Sequence, residues 1–394
     1  MLPREFSQAL PVLLELEANG YDAYFVGGSV RDHLLGRPIN DVDIATSALP
    51  EEVKSIFRDT VDIGIDHGTI LVLTGSGRFE VTTFRTEAGY QDFRRPDSVD
   101  FVRSLEEDLK RRDFTINSMA MDARGRILDP FEGRVDLREK RIRTVGLPDE
   151  RFSEDALRMM RGIRFVAQLG FDMEDDTREA ITRHAPLMSH IAVERKTMEF
   201  EKILASMNKH LAFNLLVRTG LYRELPMLEG YGDVIEAMGE NPAVRSLSKD
   251  QAWLYLLFHV MDGGFLKAWR LPKKEIKARE KEKESLKERL RGDWSPQLLY
   301  KTGRNGVVNV ESVASCISTS PHSIREALNR YDELPIHSVK YIEATGAELI
   351  KWKGNPGGPW VKEEIAKIEE AILNGELSNE KASIRKWVTT CNRS

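Results

Sequence analysis

The stretch GGSVRDHLLGRPINDVDIA, Gly27 to Ala45, constrains this chain more than any other. The apolar run before it, Ala23 to Val26, reads as a strand ending in a glycine turn. Gly27, Gly28 and Ser29 then let backbone N–H groups approach a phosphate closely. The segment leads into a DVD triplet. In a strand, residues i and i+2 project from one face, so Asp41 and Asp43 aim two carboxylates at one point while Val42 packs on the other side. Two hard oxygen ligands at that spacing suit Mg²⁺, which takes one or two carboxylates plus substrate phosphates. A bare DxD is more often a solvated turn; the glycine-rich segment ahead of it sets this one apart.

Apolar runs recur at Ala23–Val26, Thr69–Leu73, Glu80–Phe84 and Ser118–Met121, with punctuation such as Gly75–Gly77. Their spacing predicts an α/β region with a small sheet in the first 150 residues or so. From Ser153 onward the pattern turns helical, as in EDALRMMRGIRFVAQLG and ERKTMEFEKILASM, and predicts a helical remainder. Lys273 to Arg291 holds nine basic and five acidic residues. It reads as a solvated helix with i,i+4 ion pairs, the alternative being a phosphate-contacting face. GNPGGPWVKEEI, from Gly354, combines a Gly/Pro turn with a helix start.

Further segments carry candidate chemistry. In RRDFTINSMA, Arg112 offers planar donors to a triphosphate and Asp113 can accept a hydrogen bond from a ribose 2′-OH. The apolar residues that follow Asp113 read as a strand of the small sheet. Taken alone, the charged trio could also be a surface ion-pair cluster. In EDALRMMRGIRF, Asp155, Arg158, Arg161 and Arg164 recur every three residues. On a helix, successive members are neighbours, although the face drifts. Three arginines in one row are costly unless anions or bases neutralise them. Glu80, on EVTTF, is a possible third carboxylate or a charge at a strand edge. Tyr90 to Phe101, YQDFRRPDSVDF, is a polar loop centred on Arg94, Arg95 and Pro96.

GGSVRD with DVDIA resembles the opening motif of the nucleotidyltransferase superfamily that includes DNA polymerase beta. RRDFT, DPFEGRVDL, EDALR and ERKTMEFEKIL extend the likeness to the class II tRNA nucleotidyltransferases and the bacterial poly(A) polymerases. The resemblance implies an α+β fold: a polymerase-beta-like head with a small mixed sheet over 1–150, followed by all-α parts. These are a neck carrying the nucleotide-selecting template over 151–205, a body over 206–320 and a tRNA-binding tail over 321–394.

The activity implied is template-independent addition of CCA to tRNA 3′ ends from CTP and ATP. Asp41 and Asp43 would bind two Mg²⁺ ions, and Gly28 and Arg31 would contact phosphates. Arg112 and Asp113 would select the ribonucleotide. Asp155 and Arg158 would read the Watson–Crick edge of the incoming base, with Arg161 and Arg164 holding triphosphate or ordering the template. The loop with Arg94 and Arg95 would permit the switch from C to A. DPFEGRVDL would connect domains, and ERKTMEFEKIL would support the template helix. A poly(A) polymerase, or an enzyme adding only CC or only A, is the alternative.

The remaining expectations come from composition. A net charge of −5 does not by itself mark a nucleic-acid binder. Cys316 and Cys391 stand far apart, without metal-ligand spacing, so a reducing cytoplasm fits. No apolar run approaches the roughly 20 residues of a membrane span, and the first twenty residues read as an amphipathic helix.

Overall fold

The computed structural model describes residues 2–64, 68–90, 96–318 and 323–390. The chain forms two compact units, Met1–Glu240 and Asn241–Ser394.

The first unit is built on a mixed sheet. Its strands are β1 (Ala23–Val26), β2 (Asp43–Thr46), β3 (Thr60–Gly64), β4 (Thr69–Thr74), β5 (Gly77–Thr83), and the short β8 (Ala120–Met121) and β9 (Ile127–Leu128), in the order β3-β4-β5-β2-β1-β8-β9. β2 runs antiparallel to β1 and parallel to β5. A separate hairpin pairs β6 (Arg85–Tyr90) with β7 (Pro96–Phe101). Val26, Ala45, Phe84, Leu109 and Ala120 form one buried cluster on this sheet. The amphipathic segment at the start is the helix Arg4–Ala18. It buries Phe6, Val12, Leu13 and Leu16, and the Phe6 ring lies 4.9 Å from that of Phe25.

The segment after Asp113 departs from the expected strand. Thr115–Asn117 is a 3₁₀ turn, and the strand begins only at Ala120. The cause is close packing. A Cβ on Gly133 would lie 2.3 Å from the Thr115 carbonyl oxygen, so the helix Gly133–Glu139 can approach the turn only because position 133 has no side chain. Asp136 on that helix is buried and accepts from the Thr115 hydroxyl at 2.6 Å and from Arg143 at 2.9 Å.

Beyond Ser153 the unit is helical apart from one two-residue strand, β11 (Asp172–Met173), which pairs in parallel with β10 (Arg141–Ile142). The helix Leu157–Leu169 is amphipathic and ends at Gly170, which adopts φ 72°. It packs against the helix Val193–Leu204 and against Lys209–Thr219.

The second unit is helical in its described residues. Trp253, Phe265 and Trp269 centre one core, with the two indole rings 5.2 Å apart. The charge-dense run is a single helix, Lys273–Arg291. It is not solvated all round: Ile276, Arg279, Glu282, Ser285 and Leu286 are buried, and Arg279 pairs with Asp250 and Glu282. Among the described residues no helix is long and apolar enough to cross a membrane.

Candidate active site

Strand register assembles the first part of the site. Asp43 opens β2, where it stands opposite Val26 on β1 and Glu80 on β5. Residues in register on neighbouring strands share a face, so the Asp43 and Glu80 carboxylates lie side by side. Burial pushes the Asp43 carboxyl above its usual range; Glu80 and Asp41 add to the effect and Arg112 opposes it. Asp41 precedes the strand, exposed, while Val42 is buried as expected. Among the described residues no three acidic, histidine or cysteine side chains form a ready-made metal cage. A buried Asp43 carboxyl that resists ionising beside two other carboxylates nonetheless makes a donor set that a hard divalent cation relieves, with ligands still to come from substrate phosphate.

Gly27 explains how the surrounding groups come so close. It has φ 72°, and a Cβ there would sit 3.3 Å from Arg112 Nη1 and 3.6 Å from Asp43 Oδ2. Gly28 and Arg31 follow on the helix Gly28–Leu34. Arg31 is buried, bonded to Asp32 through Nε and Nη2 (both 3.0 Å) and to Asn117 through Nη1 (2.8 Å). Arg112 is fixed by Asp108, one helical turn earlier, at 3.0 Å. Burial opposes the charge on Asp108, but Arg112 and Arg111 outweigh it and hold the carboxyl below its usual range.

The helical part departs from expectation at one residue. One helix ends at Glu154 and the next begins at Leu157, leaving Asp155 extended between them at φ −135°, ψ 103°. The carboxylate itself causes the break: it accepts from the Leu157 N–H at 3.0 Å, a capping bond that an aspartate inside a helix cannot make. Asp155 is also paired with Arg195 at 2.9 Å. Arg158 is buried, bonded to Glu154 and to the carbonyls of Arg151 and Arg111. Arg161 binds Asp113 Oδ2 through Nε at 2.7 Å. Oδ1 of Asp113 accepts from the Phe114 N–H at 2.9 Å and from Asn117 at 3.5 Å. Burial works against the Asp113 charge, yet Arg161, then Arg158, keep its carboxyl below the usual range. Arg164 pairs with Glu199 at 2.6 Å.

One cavity of about 650 Å³ gathers these groups. Its lining includes Gly28, Arg31, Asp43, Arg112, Asp113, Asp155, Arg158, Arg161 and Arg164, all expected from the sequence. Asp41 lies outside the lining, and Arg94 and Arg95 lie outside the described residues. Sequence reasoning passed over Asn117, Phe165 and Arg195, which also line the cavity, and left Glu80 undecided. Arg195 belongs to the ERKTMEFEKIL segment, read there only as support. Eight arginines against four carboxylates give the wall an excess of positive charge suited to a polyphosphate.

Comparison with known proteins matches residues 23–143 to the poly A polymerase head domain. Residues 245–388 match the tRNA nucleotidyltransferase domain 2. The CCA-adding enzyme of Geobacillus sp. (strain WCH70) is 46% identical over 97% of this chain and 96% of its own. That of Bacillus subtilis (strain 168) is 43% identical over 99% of both. Among solved structures, the Bacillus stearothermophilus CCA-adding enzyme in complex with CTP is 43% identical, with a TM-score of 0.89 over 100% of this chain and 98% of that one. The Thermotoga maritima CCA-adding enzyme complexed with tRNA, 22% identical, shares the fold at a TM-score of 0.67, over 99% of this chain and 96% of that one.

Proposed function

Since the chain belongs to the CCA-adding enzymes, we propose that the cavity around Asp43, Arg112 and Asp155 is where one nucleotide is joined to the end of an RNA. The protein is a nucleotidyltransferase that adds C, C and A to the 3′ end of tRNA from CTP and ATP. The observation that carries the local reading is the convergence of three kinds of group in one space. These are crowded carboxylates, an excess of guanidinium groups, and an Asp–Arg pair at a helix start.

In the reaction, the 3′-hydroxyl oxygen of the RNA bonds to the α-phosphorus of the incoming nucleotide. The bond to the bridging oxygen of the β-phosphate breaks, and pyrophosphate leaves. Asp43, Glu80 and Asp41 are the groups that would hold a divalent metal, for which Mg²⁺ is the best chemical match. When bound, it supplies activation of the hydroxyl and stabilisation of charge on the leaving group.

The chain's own residues do the rest. Arg31, Arg112, Arg161 and Arg164 receive the triphosphate, beside the close backbone at Gly28. Asp113 accepts from the ribose 2′-OH. It already accepts from Phe114, Asn117 and Arg161 and pairs with a second Arg161 nitrogen, so the hydroxyl displaces the longest contact, Asn117 at 3.5 Å. Asp155 accepts from the exocyclic amino group that cytosine and adenine share and uracil lacks, while Arg158 donates to ring nitrogen or carbonyl oxygen. Arg94 and Arg95, outside the described residues, would serve the change from C to A.

The division into head (1–150), neck (151–205), body (206–320) and tail (321–394) remains our proposal, as does residence in the cytoplasm. Incubation with tRNA lacking its 3′ end, CTP and ATP, followed by sequencing of the products, tests the reading. Addition of CCA and then arrest is expected. A long A tail would instead make the protein a poly(A) polymerase.

A further inference from the structure

Three of the cavity's arginines share one feature that their carboxylate partners do not explain. The guanidinium of Arg164 lies over the ring of Phe165, 4.0 Å from its centroid. Arg31 lies over the same ring at 5.5 Å and Arg161 at 5.9 Å. Arg31 comes from the glycine-rich segment of the head, the other two from the helix that carries Phe165. Three cations so close repel one another; the charges of Arg161 and Arg31 both weigh against that of Arg164. Each has its own ion-pair partner, in Asp32, Asp113 and Glu199, on three different stretches of chain. Asp113 and Glu199 each also attract the other's arginine, but none of the three carboxylates forms an ion pair with two of the arginines, and neither of these two pairs with Arg31.

The ring does what those carboxylates cannot. An aromatic face attracts a cation through its quadrupole and carries no net charge. It gathers guanidinium groups without cancelling them, whereas a fourth carboxylate in its place would neutralise the charge that a polyphosphate needs. Phe165 is 3% exposed and lines the cavity. Phe114, itself fully buried, packs edge-on against it at 5.6 Å. A Cβ on Gly162 would lie 2.9 Å from the Phe114 ring, so Phe114 is wedged against the same helix and the Phe165 ring is backed on that side. The ring is thus a fixed platform on which three cations rest. A guanidinium has five N–H donors. Arg31 uses three nitrogens on Asp32 and Asn117, Arg161 uses Nε and Nη2 on Asp113, and Arg164 uses Nε on Glu199 and Nη1 on Gln168, so donors remain for a ligand.

We propose that Phe165 is a positioning residue for the polyphosphate of the incoming nucleotide, holding Arg31, Arg161 and Arg164 together through its π face. The inference rests on the nucleotide-transfer reading of the cavity. It predicts that what matters at position 165 is the electron density of the ring, beyond its volume.

The test replaces Phe165 by phenylalanines carrying one, two and three ring fluorines. Each fluorine drains the π face while changing shape little. Binding of CTP, ATP, inorganic tripolyphosphate and cytidine is measured on the full-length protein, alongside the thermal midpoint. Affinity for CTP, ATP and tripolyphosphate should fall stepwise with each fluorine, by about tenfold over the series, with cytidine binding and the thermal midpoint unchanged. Phe165→Leu should lose at least as much triphosphate affinity, and if it fails to fold the fluorinated series still decides. Triphosphate affinity that stays flat across the series, or a loss shared equally by cytidine, would overturn the proposal. Because tripolyphosphate binding needs no turnover, that outcome is separate from failure of wild-type protein to add CCA to tRNA, which would overturn the functional reading instead.

Discussion

Arg195 grips Asp155 at 2.9 Å across 40 residues of chain, tying the residue that interrupts two helices to a third helix. Four residues further along that third helix, Glu199 holds Arg164 at 2.6 Å. A cation and an anion one turn apart therefore brace Asp155 and Arg164, which we propose read base and phosphate, from the same side.

Removing that brace should degrade choice before it degrades chemistry. In Arg195→Ala the Asp155 carboxylate keeps only its bond to Leu157, and a charge-assisted contact of about 2 kcal/mol is lost. Preference for CTP and ATP over UTP should fall by roughly tenfold, with Arg195→Lys recovering part of it. Single-turnover incorporation of all four nucleotides checks this. A uniform loss of rate with preference intact would reduce Arg195 to a packing residue.

Asp155→Ala and Arg158→Ala should act more strongly on the same ratio, because each removes a group proposed to read the base edge. An unmatched polar group in a buried site costs about 1–3 kcal/mol. Base preference on tRNA ending at the discriminator nucleotide is the measurement, and unaltered preference would remove both from the reading set.

Asp43→Asn should abolish incorporation, a loss of at least several kcal/mol of transition-state stabilisation. Stability should not fall with it. Burial, Glu80 and Asp41 all disfavour the Asp43 charge, so the neutral amide relieves strain. Glu80→Gln should lower the rate by roughly a hundredfold. Pairing incorporation assays with thermal melts separates loss of a metal carboxylate from loss of fold; wild-type rates in Glu80→Gln would confine the metal to Asp41 and Asp43.

Asp113→Ala should let dCTP and dATP compete better with the ribonucleotides. The ratio of ribo- to deoxyribonucleotide efficiency is the readout. If that ratio holds while triphosphate affinity drops, Asp113 serves to hold Arg161 and not to read the sugar.

Asp108→Asn tests the pH dependence of the arginine scaffold. The Asp108 carboxyl is held below its usual range in the folded protein, so its contribution to stability is present above the unfolded-state value, near 3.8, and is lost as pH falls through the lower folded value. At neutral pH the variant should be less stable by about 3 kcal/mol, the cost of breaking a buried ion pair. The gap should narrow only below about pH 4. Denaturant melts at pH 7, 5 and 3 check this, and a gap that stays constant to pH 3 would exclude the ionised pair as its source.

Local pattern was enough to read β1 as Ala23–Val26 and the helix Lys273–Arg291 in full, because both depend on residues adjacent in sequence. The glycine-rich segment and Asp43 stood out for the same reason, whereas Arg112 and the arginines of the long helix took their expected roles from the family resemblance, since an Arg-Arg-Asp run taken alone reads as a surface ion-pair cluster. What stayed hidden depends on partners distant in the chain. Glu80 becomes a neighbour of Asp43 only through the β2–β5 register, which no pattern within either strand reveals. Arg195 gains its role from Asp155. The expected helix through Asp155 failed because capping of Leu157 competes with helix continuation there. The expected strand after Asp113 failed because Gly133 lets a helix press against Thr115.

The parallel pairing of β2 with β5 also bears on how such a protein can diversify. Asp43 and Glu80 are set by that sheet, whereas Asp155 and Arg158 are set by a junction between two helices later in the chain. On the roles proposed for these residues, bond making and letter choice are encoded in separate stretches of sequence. Substitutions around the helix junction would then rewrite the alphabet of the added tail while the β2–β5 pairing stays as it is.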